Sequence, residues 1–179
     1  MAKVLVPLAE GFEEIEAMTV TDVLRRAGVE VVTVGIPGSL VTGSRKVRVY
    51  ADRKVDDVNT AEFDALVLPG GYPGYMNLGK SKKIMDMIVT FNKQNKLIGA
   101  ICAAPTVLAK AGILENKRAT CYPGMEKELP YPRSDKVVVD GNIVTSQGPG
   151  TAIPFALKLV EILQGQEKAM QVRKDLVYY

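Results

Sequence analysis

Leu97-Ile98-Gly99-Ala100-Ile101-Cys102-Ala103-Ala104-Pro105 is the stretch that decides the fold. Five residues without a polar side chain read as a strand buried on both faces, as in a parallel sheet covered by helices. Cys102 follows at once, and Pro105 opens a helical pattern that runs to about Ala111. A strand that turns sharply into a helix crowds the flanking residues, and the small side chains of Ala100, Ala103 and Ala104 relieve that crowding. Pro105 suits a first helical turn, where a missing N–H costs little.

Similar apolar runs lie upstream at Lys3–Ala9, Val29–Ile36 and Asp64–Leu68. An amphipathic helix is expected from about Glu13 to Ala27, ended by Gly28. Another is expected after Ser81, which reads as its N-cap, with Ile84, Met87, Ile88 and Phe91 on one face. Val47–Ala51 and Arg118–Tyr122 read as short strands. Lys136–Asp140 and Asn142–Ser146 flank Asp140-Gly141, a hairpin signal. Thr151 is expected to cap a helix to about Leu163, and Gly165 separates it from a last helical stretch to about Val177. This alternation implies an α/β domain over residues 1–179, with a mainly parallel sheet and helices on both faces. Ligands of such sheets gather beyond the carboxyl ends of the strands. That places Glu10–Glu16, Gly70-Gly71 and Cys102 at one edge.

Composition narrows the function. Of 179 residues, 23 are basic and 20 acidic, for a net charge of +3. The basic residues form no stripe interleaved with aromatics, so neither nucleic-acid nor membrane-surface binding is indicated. No apolar stretch approaches the ~20 residues needed to span a bilayer, and the N-terminus lacks a signal-peptide pattern. Two cysteines make no disulfide scaffold, so the expected compartment is the reducing cytoplasm. There is no histidine. A Ser-His-Asp triad, a Cys-His dyad and a histidine-ligated zinc are therefore excluded. The residues call for no metal and no cofactor.

Cys102 is the chemical candidate. Free cysteine is most often a buried, inert core residue, but the small-residue turn and the strand-end position favour a reactive thiol. The same local logic shapes the nucleophile elbow of hydrolases. A thiol at a helix N-terminus is expected to lean toward thiolate. The N–H groups of Ala103 and Gly71 are candidates to face an oxyanion. Glu13 and Glu14 read as acidic residues favoured in a first helical turn. Glu16, one turn in and near the apolar face, reads as a buried carboxyl with a raised pKa, suited to moving a proton.

Five markers in order carry a resemblance: Glu13-Glu14-Ile15-Glu16, Ser44-Arg45, Leu68-Pro69-Gly70-Gly71, Ala100 to Pro105, and Thr145 to Thr151. Over nearly its whole length the chain resembles the ThiJ/PfpI superfamily, in the branch of the Parkinsonism-associated protein deglycase. The resemblance implies a flavodoxin-like three-layer sandwich and a homodimer. It implies that Cys102 is an oxidation-sensitive nucleophile, that Glu16 is the carboxyl beside it, and that Gly71 and Ala103 supply oxyanion N–H groups, with Gly70 adjoining. Arg26 and Arg45 match arginines near the site and the dimer interface. Gly165–Val177 matches the extra C-terminal helix of this branch. Tyr122 stands where many relatives have a histidine. A phenol cannot act as a base near neutral pH, so peptidase activity is not expected, although Tyr122 can hydrogen-bond a substrate. Cys121 is expected to face away from the site and to be structural.

Three functions follow. The first is an enzyme acting on 2-oxoaldehydes or glycated protein side chains. The second is a redox sensor or oxidative-stress chaperone whose Cys102 becomes a sulfinate. The third is a small-molecule-binding module that kept the fold without the chemistry.

Overall fold

The computed structural model describes all 179 residues. In chain order the elements are β1 (Lys3–Ala9), α1 (Glu14–Arg26), β2 (Glu30–Ile36), β3 (Leu40–Thr42), β4 (Arg48–Tyr50), β5 (Arg53–Lys54) and β6 (Ala65–Leu68). They continue with α2 (Gly74–Lys80), α3 (Lys82–Lys93), β7 (Leu97–Ile101), α4 (Pro105–Lys110), β8 (Arg118–Ala119), β9 (Tyr131–Pro132), β10 (Val137–Asp140), β11 (Ile143–Ser146), α5 (Ala152–Gln164) and α6 (Gln166–Asp175).

Seven strands form one sheet in the order β10-β11-β7-β6-β1-β2-β5. All its pairs are parallel except β10 with β11. This is the mainly parallel α/β sheet implied by the alternating runs, in the flavodoxin-like sandwich that the resemblance implies. The alternation of β1 divides the core into two layers. Val4, Val6 and Leu8 pack with Val20, Leu24, Phe155 and Leu159 of α1 and α5. Leu5 and Ala9 pack with Ile84, Ile88 and Phe91 of α3 and with Leu108 of α4. Each fully buried Leu, Ile or Phe of this kind contributes roughly 1.5–3 kcal/mol by leaving water.

From β1 the chain moves outward to β2 on one side, then returns to lay β6 and β7 on the other. The strand order therefore reverses between β1 and β6. The crevice beyond their carboxyl ends is where such sheets bind ligands. Glu13 to Glu16, Gly70-Gly71 and Cys102 all meet there.

Several local expectations are revised. α2 is a helix that no periodicity announces, because Gly74 and Gly79 dilute its pattern. The strand at Arg118 is only two residues long and pairs with β9. Thr151 precedes α5 but does not cap it with its side chain. Its Oγ1 is engaged by Gly148 N–H at 3.1 Å and Ser146 Oγ at 2.7 Å. Ser81 does cap α3, accepting from Ile84 N–H.

Candidate active site

Cys102 has φ +64°, the left-handed region that a non-glycine residue enters at a cost of about 1–3 kcal/mol. Its backbone is held on both sides: its N–H donates to Ser146 O at 3.0 Å, and Tyr122 N–H donates to its carbonyl at 2.8 Å. The strained turn lifts the thiol off the end of β7, and the side chain is 8% exposed, at the floor of a cleft.

Glu16 lies under the thiol and is fully enclosed, at 0% exposure. α1 brings it there because Glu13 fixes the helix start: Glu13 Oε2 accepts from Glu16 N–H at 2.8 Å, and Glu13 N–H donates to Gly70 O at 2.9 Å. Gly70 N–H in turn donates to Glu16 Oε2 at 2.7 Å. The other oxygen, Oε1, is enclosed with no nitrogen or oxygen partner. The remaining group in reach of the carboxyl is the Cys102 thiol. Gly70 must be glycine for this approach, since a side-chain carbon there would sit 2.6 Å from Cys102 Cβ and 3.0 Å from Glu16 Oε2.

Burial raises the Glu16 carboxyl to about 7, against the pull of Gly70 N–H and the thiol. The Cys102 thiol is pushed up to about 12, first by burial and then by the charge of Glu16. The N–H groups of Gly71 and Ala103 hydrogen-bond the sulfur and pull the other way. This reverses the expectation that a helix N-terminus makes Cys102 a thiolate. Enclosure and an adjacent carboxylate outweigh two amide donors. The two groups titrate as a pair. A proton on Glu16 removes the repulsion and turns the carboxyl into a donor toward sulfur, so the thiolate form belongs with a protonated Glu16.

The cleft measures about 500 Å³, and its walls are Glu13, Ser44, Arg45, Tyr72, Tyr75, Tyr122, Met125 and Pro149. Arg45 rides on the turn between β3 and β4. That turn is tied down by Glu14, which accepts from Arg45 N–H at 2.7 Å, Val47 N–H at 3.3 Å and Ser44 Oγ at 3.1 Å. Glu14 is thus more than a first-turn acid, and so is Glu13, which lines the cleft. Tyr122 is 49% exposed at the rim. Arg26 is not at the site. It sits at the far end of α1, about 15 Å of helix beyond Glu16, and pairs with Asp22 at 2.6 Å. Cys121 is buried in the opposite core layer, and burial pushes its thiol up to about 11. No three His, Cys, Asp or Glu side chains are grouped to hold a metal ion, and no helix is long and apolar enough to cross a membrane.

A strained cysteine at a strand-to-helix turn, a buried carboxyl under it and two amides on its sulfur form one unit. Residues 2–162 match the DJ-1/PfpI family. The chain belongs to the DJ-1/PfpI family. It is 45% identical to protein dj-1beta of Drosophila melanogaster over 97% of this chain and 95% of that protein. It is 38% identical to the glutathione-independent glyoxalase DJR-1.2 of Caenorhabditis elegans, over 98% of this chain and 95% of that one. The solved structure of oxidized Toxoplasma gondii DJ-1 superposes with a TM-score of 0.97 at 41% identity, covering 99% of both chains. Within the DJ-1/PfpI fold, α6 lies beyond the residues matched to the family, packed against α5.

Of the aromatic wall, the sequence singles out Tyr122 but not Tyr72 or Tyr75. Tyr72 directly follows Gly71 and Tyr75 lies one turn further on, and that proximity is the signal available in the sequence.

Proposed function

We propose that this DJ-1/PfpI chain is a cytoplasmic, cysteine-dependent stress-response enzyme of the glutathione-independent glyoxalase and deglycase type. It converts 2-oxoaldehydes, or their adducts on protein side chains, to 2-hydroxy acids. The observation that carries this reading is the convergence of Gly71 N–H, Ala103 N–H and the Glu16 carboxyl on Cys102 sulfur at the floor of an open cleft. The relative named a glyoxalase supports it.

The thiol proton passes to Glu16, and sulfur adds to the aldehyde carbon. A C–S bond forms, and the carbonyl electron pair moves to oxygen, where the Gly71 and Ala103 amides receive it. Glu16 returns its proton to that oxygen. The freed carboxylate then carries the hydrogen of C1 to C2 through an enediol. C1 is oxidised to a thioester while C2 is reduced to an alcohol. Water cleaves the thioester, releasing the hydroxy acid and restoring the thiol. The sum is the aldehyde plus one water, with no outside oxidant or reductant. Arg45 and Tyr122, at the rim, contact the substrate.

Turnover of methylglyoxal by wild type and Cys102→Ala tests this. Activity in wild type that vanishes in Cys102→Ala is expected. Equal rates, or no activity in wild type, would overturn it.

The unpartnered Glu16 Oε1 favours a second reading, and the oxidized state of the Toxoplasma relative supports it. Here peroxide converts Cys102 to a sulfinate, held by Glu16 and the same amides, and the protein serves as a redox sensor or chaperone. Mass spectrometry after mild peroxide should find two added oxygens on Cys102. Oxygen on Cys121 with Cys102 unmodified sinks this reading.

A homodimer is also proposed. Ile15 is 56% and Val47 52% exposed. The Glu14 bonds to Arg45 and Val47 bring the start of α1 beside the β3–β4 hairpin, which also exposes Leu40 and Tyr50. Apolar residues gathered in this way fit a second copy. Arg26, absent from the cleft, retains an interface role in this proposal alone.

A further inference from the structure

The chain spends its aromatic residues unevenly. All four phenylalanines are enclosed in the core. Of seven tyrosines, three surround one cleft: Tyr72, Tyr75 and Tyr122. Met125 and Pro149 complete the apolar wall.

Two of the three tyrosines are placed by backbone bonds close to the thiol. Tyr75 N–H donates to Gly71 O at 2.9 Å, one turn from the amide that touches Cys102 sulfur. Tyr122 N–H donates to Cys102 O at 2.8 Å, and Met125 N–H donates to Tyr122 O at 3.1 Å, which closes the turn bearing both side chains. A side-chain carbon at Gly148 would lie 3.4 Å from Tyr122 Cδ2, so the phenol ring rests against bare backbone. Tyr72 is 72% exposed, a large apolar surface left in water at the mouth.

Methylglyoxal has five heavy atoms. A cleft of about 500 Å³ falls in the range that holds drug-sized ligands. A three-carbon aldehyde bound at sulfur would leave this wall unused. We propose that the cleft selects 2-oxoaldehydes carrying an aromatic ring on the keto carbon, the arylglyoxal class, with the ring packed against Tyr122 and its aromatic neighbours. The proposal rests on the glyoxalase reading and deepens it. The chemistry is unchanged: the aldehyde carbon is oxidised, the carbon bearing the ring is reduced, one water is consumed, and an aryl hydroxy acid leaves. Aromatic pairs prefer offset or edge-to-face contacts, and three phenol rings with a flexible methionine offer both.

The test compares initial-rate kcat/KM for phenylglyoxal and methylglyoxal. In wild type the ratio should favour phenylglyoxal by about fivefold or more. Tyr122→Ala should lower that ratio roughly two- to tenfold, the range of one aromatic contact. Tyr122→Phe, which keeps the ring and loses the hydroxyl, should retain the ratio. A wild-type ratio at or below one, or a ratio unmoved by Tyr122→Ala, overturns the proposal and leaves the glyoxalase reading standing. If neither aldehyde is turned over, the glyoxalase reading fails instead. The cleft's preference is then read from the tyrosine ring signals in NMR titrations with mandelate and lactate. Mandelate binding at least fivefold tighter supports aromatic selection, and equal binding overturns it.

Discussion

Gly70 donates its backbone N–H to Glu16 Oε2 at 2.7 Å, so the turn after β6 holds the carboxyl that faces Cys102. Only one oxygen is occupied in this way, and Oε1 stays free to carry a proton. With Glu16 at about 7 and Cys102 at about 12, the pair holds two protons below pH 7 and one between these values. The reactive form is the one-proton state with the proton on the carboxyl. Iodoacetamide labelling of Cys102 should therefore rise through about pH 7 and then level off. In Glu16→Gln the thiol titrates alone in its enclosure. The step near 7 should disappear, and labelling at pH 7.5 should slow by about tenfold or more. An unchanged profile would remove Glu16 from the proton chemistry.

The same carboxyl makes a stability prediction with a definite sign. Burial raises Glu16 from its ordinary value of 4.5 to about 7 in the folded state. The unfolded chain therefore ionises first as pH rises. Folded stability is lost between about 4.5 and 7 and does not return above. Glu16→Gln removes this penalty. Its melting temperature relative to wild type should be higher at pH 8 than at pH 4, as followed by thermal denaturation. A pH-independent difference would mean that Glu16 titrates normally.

Gly70→Ala should damage the fold and the site together. The added carbon meets Cys102 Cβ at 2.6 Å and Ile101 O at 3.0 Å, both on a backbone already strained at Cys102. Overpacking of this kind costs about 1–3 kcal/mol. Chemical denaturation should show a loss in that range, and methylglyoxal turnover should fall further than stability alone explains. A variant as stable and active as wild type would show that the turn yields freely.

How far the sequence could be read follows from how local each cause is. β1, β6 and β7 are legible because a strand buried on both faces writes a continuous apolar run. The turn at Cys102 is legible because crowding selects Ala103, Ala104 and Pro105 in succession. β3, β5 and β9 have two or three residues each and exist through their pairing partners, which no local pattern specifies. α2 carries two glycines and no side-chain cap, so propensity argues against it. The direction of the Cys102 shift is not legible in the sequence, because a helix N-terminus is visible there whereas enclosure and a carboxylate from α1 are tertiary facts. Arg26 could have been excluded from the cleft by counting residues along α1 from Glu16.

Glu14 shows how a long-range role hides behind a local one. Its carboxylate binds three groups about thirty residues away and holds the turn that carries Arg45. Glu14→Ala should release that turn. Hydrogen exchange at the Arg45 and Val47 amides should speed up, and KM for the aldehyde should rise several-fold with a smaller change in kcat. Stability should fall by about 1–3 kcal/mol, the cost of unpairing donors from a charged acceptor. Unchanged exchange at both amides would assign the turn's rigidity to other contacts.

The proposed pairing of two copies makes the last prediction. Sedimentation should give twice the 19.4 kDa chain mass at micromolar concentration. Ile15 and Val47 are each about half exposed in the single chain, so charging them costs the isolated fold little. A stable interface buries about 1,200–2,000 Å² and tolerates an uncompensated charge at its centre poorly. Ile15→Glu with Val47→Glu should therefore yield a folded monomer. Glu14, the neighbour of Ile15 at the start of α1, holds the Arg45 amide, so loss of the dimer should also raise exchange at that amide. A double variant that stays dimeric places the interface on another face, and a wild type that sediments as one chain refutes the pairing altogether.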